Sequence, residues 1–113
     1  MRTAIGLALA LALLAAVPAE AHRLSGAKAR AQVEKVEHYV AGVLSIQYRV
    51  NRSGIDRCSN HGDHQVSCAA HWDVTAKKSG KRWYCTAEIR VWFRSAQSTA
   101  LAWDYRRLRC GRT

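Results

Sequence analysis

Within four consecutive residues the sequence places two histidines and a carboxylate, His61-Gly62-Asp63-His64, which supply three ligands for zinc, nickel or copper if their side chains converge. Histidines three residues apart in a polar loop need not point the same way, and these residues equally make an ordinary turn. A second set suits general acid and base chemistry: His71 and Glu88, with Arg90 and Arg106 beside them if residues 76–81 form a simple hairpin turn. An exposed glutamate next to arginines is also the usual composition of a surface ion pair. A third pattern is a basic row that carries rings, Arg82, Tyr84, Arg90, Trp92 and Arg94 at alternate positions, with Arg106 and Arg107 on the neighbouring segment. Such a row binds anions and stacks on bases or sugars, or else packs its rings against arginine stems as plain surface. Nucleophilic catalysis and nucleotide binding have no support, because neither G-x-S-x-G nor a glycine-rich phosphate loop occurs.

Alternation is what puts these residues on a face. Val66, Cys68, Ala70, Trp72 and Val74 alternate with Ser67, Ala69, His71 and Asp73, and so predict a strand with one buried side. After a turn at 76–81, Trp83, Cys85, Ala87, Ile89, Val91 and Phe93 predict the inward side of a third strand, leaving Tyr84, Thr86, Glu88, Arg90, Trp92 and Arg94 outward. A last strand over 99–110 alternates through Leu101, Trp103 and Tyr105, then slips phase to reach Leu108 and Cys110, which reads as a β-bulge. Trp72, Trp83 and Trp103 are thereby assigned to the core.

Upstream, Ala31, Val33, Val36, Val40 and Val43 recur on a helical period over residues 27–42, with Lys28, Arg30, Glu34 and Lys35 on the other side. Ser25 is the expected N-cap and Gly42 the expected stop. From residue 43 the period changes to two, and Leu44, Ile46, Tyr48 and Val50 predict the inward side of a first strand. A turn or bulge is expected at 51–54, a short continuation to Cys58, and a polar loop at 60–64.

The chain opens with the pattern of an export signal over residues 1–21: Arg2, an apolar run at 4–17, and Ala19-Glu20-Ala21 as a cleavage site. The run is shorter than the roughly 20 residues that span a bilayer as a helix, and no other stretch is as apolar, so no transmembrane segment is expected. Cleavage would make His22 the first residue of a short flexible arm, 22–26, ahead of one domain over 27–113. An N-terminal histidine chelates metal through its amine and imidazole, with a second histidine from His61, His64 or His71, and in this it resembles exported copper proteins that begin with histidine. The ordinary reading of His22 is a mobile terminus.

Cys58, Cys68, Cys85 and Cys110 all lie beyond the signal, an even count that reads as two disulfides in an oxidising compartment. Intervals of 9, 16 and 24 residues contain no metal knuckle. Three pairings are open to four cysteines. Strand geometry favours Cys58 with Cys68, closing the 60–63 loop, and Cys85 with Cys110, crossing the last hairpin.

One helix followed by antiparallel strands predicts an α+β domain, the helix packed on a four- to five-stranded meander sheet. This order of elements is similar to cystatin-like folds and, more loosely, to small microbial ribonucleases, although no Q-x-V-x-G loop is present. The ribonuclease likeness implies phosphate hydrolysis with Glu88 and His71 as acid and base.

Residues 1–21 hold one cation, Arg2, and one acid, Glu20, so the net charge of +10 belongs to residues 22–113. Arginine outnumbers lysine there, which favours forked contacts to phosphate or carboxylate. The first expectation is therefore an exported, monomeric binding domain for an anionic polymer: cell wall, acidic glycan or nucleic acid. A small hydrolase and a protein-binding or inhibitor module using the 58–68 loop are the alternatives. No cofactor is implied.

Overall fold

The computed structural model of the chain describes residues 24–112; residues 1–21, read above as an export signal, and His22 lie outside them. The order is α1 (Gly26–Leu44), β1 (Tyr48–Asn60), β2 (Gln65–Ala76), β3 (Arg82–Phe93) and β4 (Leu101–Arg112). The four strands form one antiparallel sheet in the order β1-β2-β3-β4. Among the described residues no helix is long and apolar enough to cross a membrane.

Ser25 caps α1 as the sequence predicts, its side chain accepting from the Lys28 N–H at 3.2 Å. The buried side is Ala29, Val33, Val36, Glu37, Val40 and Leu44. Ala31 and Val43, expected on it, are exposed. Gly42 does not stop the helix. The chain stays helical for two more residues because Leu44 is buried as part of the last turn. Ser45 closes that turn, its N–H donating to Ala41 O at 2.9 Å and its hydroxyl to Gly42 O at 2.6 Å. The expected start of the first strand therefore falls in the helix and a turn, where Ile46 is 77% exposed, and β1 begins only at Tyr48.

Of the turn or bulge expected at 51–54, the structure has the bulge: the segment stays in the strand. Register shifts leave Asn51 and Asp56 as extra residues opposite β2. Two such bulges flip the inward side of β1 twice, so a single alternation does not run through it. β2 and β3 are regular, and their alternate residues Val66, Cys68, Ala70, Trp72, Val74 and Cys85, Ala87, Ile89, Val91, Phe93 all reach the core. The phase slip in β4 is the expected bulge, with Arg107 at φ 58° between the pairs Glu88↔Arg106 and Thr86↔Arg109.

The core lies between α1 and one sheet face. Val33, Val36 and Val40 meet Trp72, Val74, Ile89 and Val91, all fully enclosed. One polar contact sits inside it, Trp72 Nε1 donating to Glu37 O at 3.2 Å, and a second lies at its margin, where the exposed Ser53 hydroxyl donates to Glu37 Oε1 at 2.7 Å. Trp83 is only half-buried, and Trp103 is 39% exposed, because β4 is an edge strand whose indole is met from the helix by the exposed Tyr39 at 5.3 Å. Both disulfides are present as the strand geometry required: Cys58–Cys68 and Cys85–Cys110 join residues directly opposite in the ladder, with Cα atoms 4.0 Å apart. Two disulfides point to an oxidising environment.

Leu24, placed in the arm by sequence, is buried, and its N–H donates to Asp63 O at 2.8 Å on the β1–β2 turn. Gly26 is already helical.

Candidate functional site

Among the described residues no element packs on the sheet face opposite α1, so this outer face is where the row of charge and rings is displayed. Cross-strand partners share a face, and the ladder therefore gives its rows directly. Arg57, Ala69, Glu88 and Arg106 make one; Gly54, His71, Thr86 and Arg109 make the next. Tyr84 and Trp92 stand on the same side of β3, toward its two ends, and Arg82 begins the strand opposite Thr75. Arg94 lies past the end of β3, in the loop to β4.

Several of the expected cations are already committed. Arg90 forks onto both carboxylate oxygens of Asp104 and lies 5.7 Å from the Trp92 ring centre. Arg106 donates to Glu88 Oε1 at 2.9 Å, and Arg107 stands 3.6 Å from Glu88 Oε2. The Arg106 hydrogen bond, reinforced by the charges of Arg106, Arg107 and Arg90, holds the Glu88 carboxyl below its ordinary value. Arg90 does the same for Asp104.

A carboxyl whose folded value is depressed adds stability above its unfolded value, about pH 4, and loses it as pH falls through the lower folded value. Urea midpoints measured from pH 7 to pH 3 are accordingly expected to fall below about pH 4. The Glu88→Gln/Asp104→Asn variant should start lower and change less; an equal acid slope in both proteins would show that these pairs add nothing.

His71 and Glu88 do share the face, as diagonal neighbours, but they turn opposite ways. His71 leans toward β1, where its Nδ1 lies 2.7 Å from Asp56 Oδ1. Two local features make that possible. The bulge at Asp56 brings an extra side chain beside the ring, and Gly54 leaves the space that the imidazole occupies, since a Cβ there would sit 2.9 Å from His71 Cε1. Tyr84 stacks on the same ring, 5.6 Å between centres and 14° between planes. Burial, with the nearby charges of Asp56 and Asp73, raises the Tyr84 phenol above its ordinary value, so it is neutral at physiological pH.

Beside Glu88, across the sheet from β1 to β4, lies an open groove of about 660 Å³. Its floor holds the small residues Ala69 and Thr86; Asp56 and Arg57 line the β1 side, and Arg107 and Arg109 the β4 side. Neither Arg57 nor Arg109 has an acidic partner among the described residues. Sequence reasoning missed these two arginines, together with Asp56 and Gly54. Gly54 reaches the outer face because the bulge at Asn51 shifts its facing, Asp56 is itself a bulged residue, and Arg57 and Arg109 stand on the outer side just beyond the bulges at Asp56 and Arg107.

The 61–64 loop does not form the metal site its composition allows. The Asp63 carbonyl holds Leu24, the His64 ring packs 6.1 Å from Phe93, and no group of three His, Cys, Asp or Glu among the described residues is placed to hold a metal ion. The loop is a turn around Gly62 at φ 74°. The brace attributed to His22 falls outside the described residues.

Compared with protein-family models, with characterised proteins and with solved structures, the chain matches none.

Proposed function

We propose that this is an exported, non-enzymatic binding domain that holds an anionic polymer against its outer sheet face. The observation that carries this reading is the groove between Arg57 on β1 and Arg107 and Arg109 on β4, where Arg57 and Arg109 lack acidic partners among the described residues. Guanidinium forks so placed match phosphate, sulfate or carboxylate oxygens in two-point contacts. The other arginines of the face contribute mainly long-range attraction, because Arg90 and Arg106 are neutralised by Asp104 and Glu88.

The test is retention of the oxidised protein on an immobilised polyanion as salt is raised. Removing two phosphate-type contacts by Arg57→Gln/Arg109→Gln is expected to flatten the log–log salt dependence by about 1.4 to 1.8. Arg30→Gln/Lys35→Gln removes the same charge from the exposed side of α1 and should change the slope far less. Equal effects from both pairs would mean that net charge alone drives retention and that the groove is not a site.

A further inference from the structure

Resting on that reading, we infer that the polymer is a single-stranded nucleic acid lying along β3, with phosphates in the Arg57/Arg107/Arg109 groove and bases on the rings of Tyr84 and Trp92. The first ground is the order of features along one strand face. Tyr84 comes first, then the groove at the level of Thr86 and Glu88, then Arg90 and Trp92. Eight residues at about 3.3 Å each put the two rings about 26 Å apart, room for about four nucleotides, the short end of known single-strand sites. A ligand filling this row must alternate flat rings with anionic groups.

The second ground is the state of the rings. Tyr84 is 40% exposed and already the outer member of a parallel stack, with His71 fixed behind it by Asp56. A base added to Tyr84 extends that stack without reorganising it. At the other end, Trp92 and Arg90 line a hollow of about 340 Å³, where an indole plane and a guanidinium anchored by Asp104 border the space for a second base.

The third ground is what the groove does not offer. Recognition of sugar hydroxyls uses rows of paired donors and acceptors, yet Glu88 is engaged by Arg106 and Arg107, Asp56 has one oxygen on His71, and the floor between them presents Ala69 and the single hydroxyl of Thr86. An acidic glycan would thus satisfy its charges while most of its hydroxyls stay in water and add little to binding. A duplex would conceal the base faces, and the sheet offers no element that projects into a duplex groove.

The experiment measures three ligands at physiological salt by fluorescence anisotropy: a labelled 12-residue oligothymidylate, a labelled polyphosphate of matched charge, and the same oligonucleotide as a duplex. The single strand should bind tightest. Tyr84→Ser and Trp92→Ser should each weaken it about tenfold or more, as loss of one stacked base does, while polyphosphate binding stays unchanged and reports that the variants are folded. If polyphosphate binds as tightly as the single strand and neither ring variant matters, the nucleic-acid assignment is wrong and polyanion binding stands. If neither polymer binds, both readings fall together.

Discussion

Trp72→Ala is expected to lower the unfolding free energy by about 3–5 kcal/mol, the range for removing a buried aromatic from a packed core. The indole is fully enclosed and donates to the Glu37 carbonyl on α1, so its loss opens a cavity and also removes a hydrogen bond that ties the helix to the sheet. Small domains hold about 5–15 kcal/mol in total, so the variant should sit near its transition at physiological temperature. Urea unfolding followed by far-ultraviolet circular dichroism measures the change. Trp72→Phe separates the two contributions, because it keeps most of the volume and loses only the N–H. A loss below about 1 kcal/mol for Trp72→Ala would mean that the helix is not docked on this residue.

The second large effect concerns the disulfides. Chain-entropy arithmetic for sequence separations of 25 and 10 gives about 3.5 kcal/mol for Cys85–Cys110 and about 2.7 kcal/mol for Cys58–Cys68. Each disulfide joins a fully buried cysteine of a central strand, Cys68 or Cys85, to an edge-strand partner, and Cys110 is half-buried where Cys58 is exposed, which widens the gap in the same direction. Cys85→Ala/Cys110→Ala is therefore expected to unfold at distinctly lower urea than Cys58→Ala/Cys68→Ala. The reverse order would show that the β1–β2 hairpin, not the β3–β4 pairing, limits stability.

These two effects rest on parts of the molecule that the sequence makes legible. β2 and β3 are central strands with α1 on one side and an open face on the other, so each must alternate, and the buried set from Val66 to Val74 and from Cys85 to Phe93 can be read residue by residue. Once those strands are aligned in a meander, the inward-facing cysteines fall opposite each other and the pairing follows. The junction at 43–50 was not legible, because Leu44 satisfies both periods: it continues the helical side after Val40 and also starts the alternation with Tyr48 and Val50. Tertiary packing decided it, by seating Leu44 against the sheet within the last helical turn.

The candidate site was legible in part for the same reason. Tyr84, Glu88, Arg90 and Trp92 belong to a regular strand, and the structure sets them on one face. Gly54, Asp56 and Arg57 belong to a strand with two bulges, the first of which changes the facing and the second restores it, so no single alternation ties the three to one face. Which arginines carry usable charge was legible only around Glu88, whose setting among arginines already suits a surface ion pair. Arg90 and Arg106 look like the best anion contacts by position, but Asp104 and Glu88 stand directly opposite them across the β3–β4 ladder.

The outer-face claim is tested most directly by following backbone amide resonances while an anionic polymer is titrated into the isotopically labelled protein. The largest shifts are expected around Arg57, Ala69, Thr86, Arg107 and Arg109, spreading to Tyr84 and Trp92, with α1 (Gly26–Leu44) unaffected. Shifts centred on α1 or scattered over the whole basic surface would contradict the account and leave the groove as ordinary solvated surface.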